Sequence, residues 1–211
     1  MAAAPAFGRA VNVTDFSFSP AIAVDTSGAQ TYSGRAGQFT GSLGPLAPVG
    51  SFGPQAAPTS FTAYCIELTQ SFSFNVTYQY SEVDAVTYIG AQKAADLSRL
   101  FTATAGLVTN ASASGAMQSA IWEIAYEVGS SYDFLGGAFK VGAANQLNDP
   151  TFATFNSILM NLDSYNPSAQ IYMLRNSQNQ DFIVAVPEPG TWAMLVAGLG
   201  VLGLVSRRRQ R

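Results

Sequence analysis

The sequence predicts an α+β fold, a β-sandwich or barrel with a helical subdomain, followed by a single C-terminal transmembrane helix. Three patterns predict it. Residues 11–88 are mainly of period two, residues 94–162 repeat apolar positions at helical spacing, and an apolar run at 192–205 ends in arginines. With 48% hydrophobic and 11% charged residues, the 211-residue chain has enough apolar side chain for one ordinary core, which excludes a disordered chain. Histidine is absent and Cys65 is the single cysteine, so a Ser-His-Asp triad, a Cys-His pair and an intrachain disulfide are all excluded. A zinc site built on His or several Cys is excluded as well, and no metal or cofactor is expected.

In chain order, residues 1–10 read as the remnant of a signal peptide. They resemble its small-residue end around Ala4-Pro5-Ala6, without a charged n-region or a long apolar h-region, so the true start is expected further upstream. The rival expectation is a tail-anchored cytosolic protein. Residues 11–185 form the main domain. Its first half is punctuated at Ser27-Gly28, Gly44-Pro45 and Gly53-Pro54, and Gly41–Pro58 reads as a long surface loop. The clearest strand is Phe72–Tyr80, where Phe72, Phe74, Val76, Tyr78 and Tyr80 alternate with polar residues. Another strand covers Phe61–Leu68 and puts Cys65, Ala63 and Glu67 on one face, Tyr64 and Ile66 on the other.

Helices are expected where Ala94, Leu97, Phe101 and Thr104, then Met117, Ile121, Ile124 and Val128, then Phe152, Phe155, Leu159 and Leu162 recur. The third has Asp149 as N-cap and Pro150 at its first position. The second begins near Ser112 and places Gln118 in its first turn. Extended segments return at 170–174 and 181–186.

Charge divides the chain. Residues 1–186 hold 12 acidic and 6 basic side chains, whereas 187–211 hold Glu188 against Arg207, Arg208, Arg209 and Arg211. The body has no basic footprint, so nucleic acid is not expected as a partner. The tail runs Pro187-Glu188-Pro189, then the apolar stretch 192–205, then the arginines. This stretch is shorter than the roughly 20 residues that span a bilayer comfortably, yet Trp192 at one interface and snorkelling arginines at the other suit a thin span. A buried C-terminal helix is the other reading of its length.

These three parts in order resemble the PEP-CTERM sorting signal of Gram-negative bacteria. The resemblance implies export, transient anchoring in the inner membrane by residues 186–211, and cleavage near Pro187-Glu188-Pro189 by an exosortase-type protease. The positive-inside rule then puts the arginines in the cytoplasm and the acidic body outside, at the cell surface or beyond.

Two internal motifs, Tyr64-Cys65-Ile66-Glu67 and Gln118-Ser119-Ala120-Ile121-Trp122, together resemble the thioester domains of bacterial surface adhesins. In that family a strand cysteine and a glutamine at a helix start condense with loss of ammonia. The resemblance implies a Cys65–Gln118 thioester that acylates an amine or hydroxyl on a surface polysaccharide or protein, once per molecule, so the chain is read as a reactive binder and not as a turnover enzyme. Thiolate is a good leaving group for such a transfer. Tyr64 and Trp122 read either as shields against water or as core aromatics, and Glu67 either as a general base or as an exposed strand carboxylate. Cys65 itself has the alternative of a small buried hydrophobe in an inert matrix or envelope protein. A hydrolase using Glu123 and Glu127 is a third reading, weakened because those carboxylates, one helical turn apart, are expected on a solvated face.

Overall fold

Strands from the period-two half of the chain close into a barrel with two strands from residues 171–185. The computed structural model describes residues 7–19, 22–26, 30–48, 59–142 and 148–186. Its strands in the first half are β1 (Phe7–Phe18), β2 (Ile22–Thr26), β3 (Gln30–Gly34), β4 (Gly37–Leu43), β5 (Ala47–Pro48), β6 (Thr59–Cys65) and β7 (Thr77–Asp84). Then come α1 (Ala85–Ile89), α2 (Ala91–Ala103), α3 (Ala111–Tyr126), β8 (Phe139–Val141) and α4 (Pro150–Met160). A 3-10 turn (Leu162–Ser164), β9 (Ile171–Arg175) and β10 (Phe182–Ala185) follow.

Strands pair antiparallel in the order β4-β6-β10-β9-β7-β1, and β1 pairs back to β4, which makes a closed six-stranded barrel. β5 adds to the first residues of β1, and β2 joins β3 and β8 in a separate three-stranded sheet. The register slips between Val13 and Asp15 of β1, a bulge of the kind that bends a strand so a small sheet can close.

Residues directly opposite in a ladder share a face, so the register identifies the interior. Val11, Phe39, Ala63, Cys65, Phe182, Leu174 and Tyr80 all fall on it. Near one end Arg9 meets Glu82 at 2.5 Å and lies 5.9 Å from the Tyr172 ring centre. At the other, Phe16 stacks on Phe39 at 4.2 Å, and Phe72 and Phe182 meet edge to face at 5.3 Å. Ile183, Met173 and Tyr64 occupy the opposite, outer face and are buried in the core that the barrel shares with the helices. α3 lies over β1, β4 and β6. Its approach depends on Gly115, where a Cβ would come within 2.3 Å of Ser19. Caps start the helices: Asn110 accepts from Ala113 N at 2.9 Å, and Asp149 from Thr151 N at 2.8 Å ahead of Pro150.

The α+β expectation holds, the barrel being the one of its two alternatives that forms, and the helices lie between β7 and β9. Several boundaries differ. Phe7–Ala10, assigned from sequence to the export-signal remnant, open β1 and pair with β5 and β7. Gly41–Leu43 belong to β4 and not to a loop. Phe72–Val76 do not continue a strand, because Asn75 takes a φ of 61° and donates its N–H to Val13 O; the strand begins at Thr77. Val128 lies beyond α3 and is 83% exposed, its helical spacing being accidental. Residues 1–6, the Pro187-Glu188-Pro189 motif, the apolar stretch 192–205 and the four terminal arginines lie outside the described residues. Among those described, no helix is long and apolar enough to cross a membrane.

Candidate functional site

Cys65 is the last residue of β6, at the aromatic end of the barrel. The β4–β6 ladder stops at Phe39 opposite Ala63; Gly37 and Gln38, the first residues of β4, pair with Phe18 and Ser17 of β1 and not with β6. Ile66 N–H points the other way, to Asp181 O of the β10 side at 3.1 Å. Alternation in an antiparallel ladder therefore leaves the N–H and C=O of Cys65 facing the gap beyond β4. The Gln118 side chain fills it. Cys65 N–H donates to Gln118 Oε1 at 2.8 Å and Gln118 Nε2 donates to Cys65 O at 2.7 Å, both in the buried interior. One carboxamide thus replaces one residue of a missing strand.

Gln118 is brought there by α3, about two turns in and not in the first turn expected from sequence, because the helix starts at Ala111 behind the Asn110 cap. The Cys65–Gln118 pair borders a pocket of about 350 Å³ that Trp122, Tyr32, Phe16, Phe39, Phe72 and Phe74 also line. Trp122 stands one turn from Gln118 and meets the Tyr32 ring edge-on at 5.3 Å. Its indole Nε1 is buried without a hydrogen-bond partner among the described residues. Burial pushes the Cys65 thiol well above its usual range, and the nearby Glu67 carboxylate adds to the shift.

Glu67 corrects the expectation of an exposed carboxylate on the Cys65 strand. It lies past the end of β6 in a bend, where its carboxylate accepts from Thr69 N at 2.6 Å, from the Thr69 hydroxyl, from Gln70 N at 3.1 Å and from Gln180 Nε2 at 2.7 Å. Those bonds order the 67–70 loop at the pocket rim. Tyr64 does not reach the pocket. It points to the outer face, where its hydroxyl accepts from Gln38 Nε2 at 2.8 Å and its ring meets Phe101 of α2 at 6.0 Å. Of the two aromatics proposed as shields, only Trp122 is in position.

Glu123 and Glu127 are also corrected, being buried and not solvated. Glu123 Oε1 accepts from Asp133 N at 2.8 Å, and its Oε2 has no partner. Burial pushes its pKa up to about 8, the Glu127 and Asp133 carboxylates adding to the shift and the Asp133 N–H opposing it. Glu127 accepts from Val128 N at 2.8 Å, Ala138 N at 2.7 Å and Phe139 N at 3.2 Å. Both carboxylates bind main-chain N–H groups of the 128–139 segment, which is a structural role. Sequence reading had missed Tyr32 and Gln180 in the site. Neither carries a local signal, since each arrives from a separate part of the chain.

Among the described residues no group of three or more acidic or cysteine side chains is placed to hold a metal ion. Residues 185–210 match a family model described as the PEP-CTERM protein-sorting motif. Such a motif marks an exported protein with a C-terminal membrane-anchored sorting signal that an exosortase-type system processes. No curated protein and no solved structure matches the chain.

Proposed function

We propose that this exported protein stores a Cys65–Gln118 thioester and uses it to attach covalently to a polysaccharide or protein at the cell surface or in the extracellular matrix. It acts once and is not a turnover enzyme. The observation that carries the reading is the two-point contact between the Gln118 carboxamide and the Cys65 main chain beside an aromatic pocket. The Cys65 N–H polarises the carboxamide carbonyl, and the thiol belongs to the same residue. In the condensation, Cys65 Sγ bonds to Gln118 Cδ, the Cδ–Nε2 bond breaks, and nitrogen leaves as ammonia with the thiol proton. A surface amine or hydroxyl then adds to Cδ, the Sγ–Cδ bond breaks, and the nucleophile's proton ends on the thiol. Trp122 and the phenylalanines limit competing hydrolysis by keeping water out. The tail serves delivery, with residues 192–205 as a transient inner-membrane anchor, Arg207, Arg208, Arg209 and Arg211 on the cytoplasmic side, and cleavage near Pro187-Glu188-Pro189 releasing the body.

The second reading is an inert envelope or exopolysaccharide-matrix protein with Gln118 as a permanent substitute for a strand. Two hydrogen bonds of good length, and a thiol that burial keeps protonated, favour it. Intact mass of the full-length chain separates the two. The thioester reading expects a mass lower by one ammonia, and methylamine adding at Gln118 while freeing one thiol. A full calculated mass, with the thiol labelling after unfolding alone, refutes it.

A further inference from the structure

Buried hydrogen-bond donors in folded proteins almost always find acceptors, and Trp122 Nε1 is an exception. The indole is 2% exposed and lines the pocket that holds Cys65 and Gln118. Gln118 and Trp122 are four residues apart on α3, and a helical side chain leans toward the turn before it, here the turn of Gln118. The neighbouring orphan acceptor, Glu123 Oε2, does not explain the vacancy. Glu123 is one residue further round the helix, about 100° away, and its other oxygen is bonded to Asp133 of the loop beyond α3. Gln118 Oε1 therefore has one donor in place, Cys65 N–H at 2.8 Å, and the unpartnered Trp122 N–H stands one helical turn away on α3.

We infer that the Trp122 indole N–H is the second hydrogen-bond donor to the Gln118 acyl oxygen, completing with Cys65 N–H a two-donor cradle for the charge that develops there. The inference rests on the thioester reading and adds a catalytic residue to it. When a nucleophile adds to Gln118 Cδ, the carbonyl π pair moves onto Oε1. Condensation with the thiol and later attack by an amine or hydroxyl both pass through such an oxyanion. To reach Cys65 Sγ the carboxamide gives up its Nε2 bond to Cys65 O and pivots about the retained Cys65 N–H bond to Oε1, within the pocket shared with the indole. Collapse returns the pair to the carbonyl and expels ammonia in the first reaction or the Cys65 thiolate in the second, the thiolate taking the nucleophile's proton.

The test uses the full-length chain and methylamine, with Trp122→Phe keeping the ring and deleting the donor. Wild type is expected to lack one ammonia, and the variant to condense or to react with methylamine about 10²-fold more slowly, the effect of removing one oxyanion donor. Equal rates in the two proteins overturn this inference and leave the thioester standing. A wild type of full calculated mass overturns both. Should Trp122→Phe fail to fold, Trp192→Phe leaves Trp122 as the one remaining indole. Its N–H resonance must then move between the thioester and methylamine-opened forms, and an unmoved resonance overturns the inference.

Discussion

Two parts of the buried face of α3 handle polar side chains in opposite ways. Toward its middle, Gln118 is neutral, and both ends of its carboxamide bond to one residue of the barrel. Toward its C-terminus, Glu123 and Glu127 are acidic, and they bond to N–H groups of the segment that follows the helix. A neutral amide is both donor and acceptor, so it can cap a broken ladder without leaving a charge in the core. A carboxylate can only accept. It can hold N–H groups, but one Glu123 oxygen remains unpartnered and the group keeps its proton far above the usual carboxylate range. The same helix thus carries a fully satisfied contact near the thiol and a titratable one remote from it.

Removing the satisfied contact has the largest expected effect. Gln118→Ala leaves two buried main-chain groups of Cys65 unpaired and lowers stability by about 4 kcal/mol, read from denaturant midpoints. If the loss is under about 1 kcal/mol, water or a neighbour already serves those groups and the strand-substitute account is wrong. The other part is next. Gly137 has a φ of 79°, and a Cβ there would lie 2.0 Å from Glu127 Oε2. Gly137→Ala combines left-handed strain with displacement of that carboxylate, and a loss of about 2–3 kcal/mol is expected by thermal or urea unfolding.

The contrast in charge is sharpened by pH. The folded chain holds a proton on Glu123 that the unfolded chain releases, so this group's contribution is fully present below about pH 4.5 and is lost as pH rises to about 8. Unfolding midpoints of wild type are expected to fall across that window more steeply than those of Glu123→Gln. Identical slopes would mean that the carboxyl ionises normally in the fold. The smallest effect belongs to Val128, which helical spacing would place in the core but which is 83% exposed. Val128→Ser is expected to change stability by less than about 0.5 kcal/mol in the same assay.

Local chemistry in the chain is enough to read the three longer helices, the Asp149 cap of the last and the sorting tail. Apolar spacing marks α2, α3 and α4, and Asp149-Pro150 marks where α4 begins. The Pro-Glu-Pro motif and arginine cluster likewise identify residues 185–210 with no reference to the body. Cys65 and Gln118 were paired from a resemblance between two short motifs, and their contact could not be derived from spacing, because they lie 53 positions apart with three elements between them.

Tertiary structure decided the rest. Whether alternating strands close into a barrel depends on β1 pairing with both β4 and β7, a choice made by non-local hydrogen bonds that leave no period in the sequence. Burial of Glu123 and Glu127 depends on the segment after α3 folding back to supply N–H donors, which no helical pattern records. Tyr64 and Cys65 are neighbours in sequence yet face opposite sides of the barrel wall, so only one of them reaches the pocket. Periodicity and caps act within one element and are written in it. Closure, burial and the meeting of a thiol with a carboxamide are properties of pairs of elements, and appear only once the chain has packed.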